Sequence, residues 1–260
     1  MDMKINIALS QSNIQFGDPE HNFAFLSEQA AQASVRQADL LLFPELALHG
    51  YHRASITDSF NWHLPHLLTR LQDLARTNHV AMAGSCVEEA DGHRFNTMVF
   101  IDSAGNLLGK YRKTHLFKKL NEDKFFLPGN DLTVVDTDWG RLGLAICYDL
   151  RFPEIFRAMM RKGAQGYLIC AEWPSARINH WKTLLQARAI ENQAWVAACN
   201  CTGISGKVEF GGASSTVSSW GDITTAEDNE ELIISTIHTD EVDQIRAENP
   251  FLDDYRGDLN

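Results

Sequence analysis

"LGLAICYDLRFPEIFRAMMRKGAQGYLICAEWP", residues 142–174, decides the fold class. An apolar, β-leaning run ends abruptly at Cys147. Tyr-Asp-Leu-Arg-Phe follows, and Pro153-Glu154 opens the helical stretch "PEIFRAMMRKGA". "QGYLICAEWP" is then a second buried strand. Downstream, "ARINHWKTLLQARAIEN" reads as a helix with Trp181, Leu184 and Leu185 on one face, and "AWVAACN", "GGASSTVSS" and "ELIISTIH" finish as strands. Upstream, "KINIAL" is a strand, and residues 17–37 carry helix signals, with Asp18 as N-cap and Pro19 at the first helical position. "ADLLLFPEL" is a short apolar strand stopping at Pro44, and "LPHLLTRLQDLARTN" a helix. "VAMAGSCVE", "RFNTMVFID" and "LLGKYRK" are strands, with "SAGN" the hairpin turn between the last two. After the loop "KKLNEDKFFLPGND" come "LTVVDT" and "RLGLAIC", turning at "DWG". Strands alternating with helices, plus adjacent hairpins, imply an α/β architecture of mixed sheets flanked by helices.

The chain has 260 residues, 44% of them hydrophobic, enough for a well-buried core. No linker, charge block or repeat divides it, so one domain over residues 1–260 is expected. A net charge of -11 without a cluster of Lys and Arg argues against nucleic acid or an anionic membrane as partner. The first residues lack the apolar core of a signal peptide, and no apolar run approaches the roughly 20 residues that span a bilayer. Five cysteines (86, 147, 170, 199 and 201) show no framework spacing, so reduced thiols and a cytoplasmic location are expected.

Three residues stand at strand ends with chemistry to offer. Cys147 precedes a helix whose N-terminal amides would lower a thiol pKa, although its position alone fits an inert core thiol equally well. Glu45, after four apolar residues and a proline, sits where ionisation is expensive without a partner; alone it also reads as a helix-capping carboxylate. Lys113 ends a strand before Leu116 and Phe117, and by itself reads as an ordinary surface lysine. His49/His52 and His63/His66 have ligand-like spacing, but no further ligands complete a metal site. Cys199 and Cys201 read as core packing, and no glycine-rich phosphate loop suggests a nucleotide cofactor. Neither a metal nor a cofactor is expected.

"FPEL" with Glu45, "YRKTHLF" with Lys113, "LPGN" and "ICYDLRFPE" with Cys147 together resemble the nitrilase, or carbon–nitrogen hydrolase, superfamily over essentially the whole chain and in its order. "AEWPSARINHWKTLLQARAIENQAWVAACN" is similar to the omega-amidase branch. One departure is Ser219, where relatives usually have proline before a turn. The resemblance implies a four-layer α-β-β-α sandwich of two mixed sheets and a Cys147-Glu45-Lys113 centre. It also implies a second glutamate, Glu122, and an oxyanion contact from the Tyr148 backbone N–H. The activity implied is cysteine-dependent hydrolysis of a small ω-amide of a 2-oxo dicarboxylate. Other C–N hydrolases (deaminated-glutathione amidase, N-carbamoyl amide hydrolase, nitrilase) and a non-catalytic binding protein of the same fold are the alternatives. Such a substrate carries a carboxylate, so a further cation is expected, Arg177 first and Arg151 second, with Tyr51, Phe117, Glu172 and Trp173 as pocket walls. The resemblance also implies a homodimer, for which "PEIFRAMMRKGA" would expose Phe, Ile and Met, and the C-terminal "NPFLDDYRGDLN" would dock on a neighbour.

Overall fold

A computed structural model describes residues 3–58, 60–205 and 207–256. The first half builds one sheet and its outer helices: β1 (Lys4–Gln11), α1 (Pro19–Val35), β2 (Leu40–Leu42), α2 (Arg53–Asp58), α3 (His66–Asn78), β3 (Ala81–Ala90), β4 (His93–Ile101) and β5 (Leu107–Arg112). The second half supplies β6 (Val134–Thr137), β7 (Gly140–Ile146), α4 (Pro153–Arg161), β8 (Gly166–Ala171), α5 (Ile178–Asn192) and β9 (Trp195–Asn200). A small ribbon, β10 (Thr202–Ser205) with β11 (Val208–Gly211), precedes β12 (Ser215–Val217) and β13 (Ile223–Thr225). The chain then returns with β14 (Glu231–His238) to the edge of the first sheet and ends in α6 (Glu241–Glu248) and a 3-10 turn.

The first sheet runs β14-β1-β2-β3-β4-β5 and the second β13-β12-β9-β8-β7-β6. In each, parallel pairs hold the centre (β1–β2–β3; β7–β8–β9) and antiparallel pairs the flanks. Side chains alternate between faces along a strand, so the apolar runs divide by parity. Ile5, Ile7, Leu9, Leu40 and Leu42 face Leu142, Leu144, Ile146, Leu168 and Cys170 between the sheets. The opposite face of the first sheet, with Ala8, Leu41 and Met82, packs on Leu26 and Ala30 of α1 and Leu67 and Leu71 of α3. That of the second, with Ala145, Tyr167 and Ile169, packs on Phe156 and Met159 of α4 and Trp181 and Leu185 of α5. The result is the α-β-β-α sandwich. Strands covered on both faces carry unbroken apolar runs, which is why they read as buried.

Asp18 caps α1 as expected, accepting from the His21 N–H at 3.0 Å. The expectation for α4 is corrected. Ile155, Phe156 and Met159 are buried against the second sheet, and the face turned outward carries Glu154 and Arg161. The helix therefore does not offer the apolar surface foreseen for a dimer. Behind it, Arg157 and Arg161 lie 5.4 and 5.9 Å from the Tyr255 ring, so the C-terminal turn rests on α4 of its own chain. Residues 257–260 of that segment lie outside the described residues. α2, α6 and the pairs β10–β11 and β12–β13 are only partly visible in the sequence because they are short and polar. No helix among the described residues is long and apolar enough to cross a membrane.

Candidate active site

The strand ends β2, β5, β7 and β8 open at one end of the sandwich, and each delivers one polar side chain. After β2 the chain bends over β3: Phe43 N–H bonds Ala83 O at 2.9 Å and Leu46 N–H bonds Ser85 Oγ at 2.8 Å. Gly84 makes this bend fit, because a Cβ there would overlap the Phe43 ring. Glu45 is thereby fixed, fully buried. Its Oε1 accepts from Lys113 Nζ (2.7 Å), Tyr51 Oη (2.7 Å) and Asn96 Nδ2 (2.8 Å), and its Oε2 from the Glu172 N–H (3.0 Å). Lys113, just past β5, is 1% exposed rather than a surface lysine. Its Nζ also lies 2.9 Å from both Glu122 oxygens and 3.2 Å from Tyr51 Oη. Glu122 is held by a short 3-10 turn and by the Phe117 N–H at 2.6 Å.

Cys147 follows β7 and opens a 3-10 turn, Cys147–Arg151, with a left-handed φ of 45°. A non-glycine residue held there is strained, and strain of this kind persists only where its surroundings over-determine it. Asp149 supplies that restraint. Fully buried, it accepts from the Ile146 N–H (3.0 Å), the Tyr111 hydroxyl (2.8 Å) and the His115 N–H (3.0 Å). The thiol meets the Glu45 carboxylate, and Sγ lies 3.9 Å from the Glu172 carbonyl.

These contacts set the charges. Burial alone would raise the Glu45 carboxyl, but the Lys113 ammonium and the hydrogen bonds from Lys113, Tyr51 and the thiol win and hold it below the usual carboxylate range. Burial would lower Lys113, but the Glu122 and Glu45 carboxylates push it well up. Burial and then the charge of Glu45 drive the Cys147 thiol well above its ordinary value, and Lys113 opposes without prevailing. The sequence expectation of a thiol acidified by a helix N-terminus is thus corrected. The α-helix begins only at Pro153, and the charge that weighs most on the thiol is an anion. At rest the site holds a neutral thiol beside an ionised carboxylate.

Every residue expected in the site lines one cleft: Glu45, Tyr51, Lys113, Phe117, Glu122, Cys147, Tyr148, Arg151, Glu172, Trp173 and Arg177. Arg151 stands 4.7 Å from the Trp173 ring and Arg177 5.6 Å from the Phe117 ring. Burial and then the charge of Arg177 hold Arg151 below its usual pKa. Among the described residues neither guanidinium has a carboxylate within ion-pair distance. Sequence reasoning missed Asn96, Asp149 and Asn200. Asn200 fixes the loop after β8, accepting from the Trp173 N–H at 2.6 Å and donating to the Trp173 carbonyl at 3.1 Å. A polar residue inside an apolar run, as in "RFNTMVFID", was the available signal. The histidine spacing pairs His49 with His63 instead, ring centroids 5.2 Å apart.

A sequence model of the carbon–nitrogen hydrolase family matches residues 6–247. The chain is 36% identical over 259 residues to a 2-oxoglutaramate amidase of Bacillus subtilis (strain 168), covering 99% of this chain and 100% of that one. It is 38% identical over 242 residues to a 2-oxoglutaramate amidase of Paenarthrobacter nicotinovorans, covering 87% and 81%. Among solved structures, a variant of an amidase from Nesterenkonia sp. AN1, with acrylamide added at its active-site cysteine, superposes with a TM-score of 0.84 at 30% identity, covering 94% and 95%. Fold, strand-end cluster and sequence agree, and the chain belongs to the carbon–nitrogen hydrolase family.

Proposed function

We propose that the cleft hydrolyses a small ω-amide of a 2-oxo dicarboxylate, of the 2-oxoglutaramate or 2-oxosuccinamate type, releasing ammonia through a thioester on Cys147. As a carbon–nitrogen hydrolase the chain acts on amide C–N bonds. The observation carrying the substrate class is the pair of arginines, Arg151 and Arg177, which have no carboxylate partner among the described residues and line the cleft that holds the thiol. A substrate carboxylate supplies the missing anion.

Glu45 takes the thiol proton as Cys147 Sγ attacks the amide carbonyl, whose π pair moves to oxygen. Lys113 Nζ and the Tyr148 N–H hold that oxyanion; one such donor is worth about 3–4 kcal/mol. The ammonium has three hydrogens shared among four acceptor oxygens at rest, so one turns from its divided contact with Glu122 to the oxyanion. The C–N bond breaks, the nitrogen takes the proton from Glu45 and leaves as ammonia, and the acyl group remains on sulfur. Glu45 then draws a proton from water as it attacks the thioester, and the C–S bond breaks. Glu45 returns its proton to the thiolate, leaving a free thiol and the carboxylic acid. Glu122 positions Lys113 throughout. No cofactor is needed for these steps. We place the reaction in the cytoplasm, and the assembly as a homodimer.

Ammonia release measured on 2-oxoglutaramate, 2-oxosuccinamate, deaminated glutathione, an N-carbamoyl amide and a nitrile tests the reading. The 2-oxo ω-amides are expected to turn over fastest, with Cys147→Ala inactive on all. A carbamoyl or nitrile substrate leading the panel, or an active Cys147→Ala, would refute it.

A further inference from the structure

Among the described residues, Glu172 is the acid of the cleft whose side chain has no hydrogen-bond partner. It is 4% exposed, it lines the cleft, and neither carboxyl oxygen has a hydrogen-bond partner among the described residues. Its backbone, by contrast, is fully committed. The N–H donates to Glu45 Oε2 at 3.0 Å and the carbonyl faces Cys147 Sγ at 3.9 Å, while Asn200 holds the next peptide. The side chain therefore starts between base and nucleophile and cannot swing away with its loop. Leaving a buried polar group unpartnered is destabilising, and one that lines a cleft is placed to take its partner from what the cleft binds.

The charges bearing on Glu172 locate it further. They are those of Glu45, Lys113 and Glu122, with the Cys147 and Cys201 thiols nearby; the arginines of the cleft are not among them. Glu172 thus belongs to the reacting end, away from the carboxylate-binding end. Lys113 is already bonded to two carboxylates and Tyr51 and offers no pairing. Burial, then the charge of Glu45, raises the Glu172 carboxyl well above the usual range, so it stands as a neutral acid. In that form it has one O–H donor and one carbonyl acceptor.

On the amidase reading above, the substrate's carbonyl oxygen goes to Lys113 and the Tyr148 N–H, and its carboxylate to the arginines. The polar group remaining at the reacting end is the amide nitrogen. We propose that Glu172 is the specificity-determining residue for the scissile nitrogen, its carboxyl oxygen accepting an N–H of the substrate's primary carboxamide as Cys147 attacks. A neutral acid accepts that hydrogen without placing a third negative charge beside the developing oxyanion. Substrates lacking the N–H, such as esters, leave Glu172 as unpartnered as it is at rest.

The test compares kcat/KM on the ω-amide and on the ω-methyl ester of the same carbon skeleton. In Glu172→Met, which keeps the bulk and removes the acceptor, the amide is expected to lose about tenfold to a hundredfold and the ester less than about threefold. Glu172→Gln keeps a carbonyl acceptor and is expected to recover most of the amide rate. Equal losses on amide and ester, or an unchanged amide rate in Glu172→Met, would overturn the proposal. Infrared difference spectra of wild type against Glu172→Gln provide a readout independent of any folding defect in Glu172→Met. A protonated-carboxyl C=O band at neutral pH is expected in wild type only, and its absence there would also overturn the proposal. If wild type releases no ammonia from 2-oxo ω-amides, the substrate reading fails instead. The comparison then runs on whichever amide acylates Cys147, so the two failures are read separately.

Discussion

Replacing Glu45 by glutamine changes the charge beside Cys147 and little else. The amide oxygen can keep the acceptor role toward Lys113, Tyr51 and Asn96, and the bond from the Glu172 N–H is lost. The structure then makes two predictions of opposite sign. Burial and next the Glu45 charge hold the thiol up, so removing that charge acidifies it. Lys113 remains beside Glu122, and its charge also favours the thiolate, so the thiol of Glu45→Gln is expected to ionise more readily than that of wild type. Alkylation of Cys147 by iodoacetamide at neutral pH should therefore be faster in Glu45→Gln than in wild type. Ammonia release should fall by about 10²- to 10⁴-fold, the usual worth of a general base. Measuring the alkylation rate across pH beside kcat/KM separates a base that acts during attack from a carboxylate that merely primes the thiol. If alkylation falls in step with turnover, the reasoning about Glu45 is wrong.

Arg177→Ala should lose about 2–4 kcal/mol of kcat/KM on 2-oxoglutaramate and much less on an uncharged amide of similar size; equal losses would assign Arg177 to the fold alone. Asp149→Asn turns an NH₂ toward N–H and O–H donors at the base of the Cys147 turn, and calorimetry should show Tm down by about 5–10 °C. An unchanged Tm would mean that Asp149 does not brace the turn. His49 is held at about 3 by burial and then by His63. Because its folded pKa is depressed, the unfolded chain binds the proton first, and stability present above about pH 6.5 is lost as pH falls toward 3. Between pH 7 and pH 5, wild type should lose up to about 2 kcal/mol more than His49→Phe in urea titrations, and parallel curves would refute this.

The layers were legible because burial on both faces leaves a mark in the strands: Leu40, Leu41 and Leu42 have no polar side to show. Asp18-Pro19 and the break after Ile146 were legible for local reasons, a cap and a change of backbone direction. The face of α4 was not. Ile155, Phe156 and Met159 form one stripe, but periodicity does not say whether a sheet or a partner meets it. Nor did spacing reveal Asn96 and Asp149, since a polar residue is assigned to a buried network only when its partners are known, and these come from β2, β5 and β7. The thiol's charge environment failed for a related reason. A helix N-terminus is written in neighbouring residues, whereas the carboxylate that outweighs it lies a hundred positions away in the chain, at Glu45.

Glu45 and Lys113 hang from the first sheet, Cys147 and Glu172 from the second. The distance from nucleophile to base is therefore a gauge of the gap between the sheets, and the interleaved side chains, Leu42, Met98 and Tyr111 against Leu144, Ile146 and Cys170, act as its spacers. Swelling or thinning of that filling by even an ångström translates directly into misaligned attack, and a misplacement of that size can cost about 10²-fold in rate. Turnover should thus be the most sensitive dial on the sandwich's thickness, moving under pressure or core substitution well before the fold gives way.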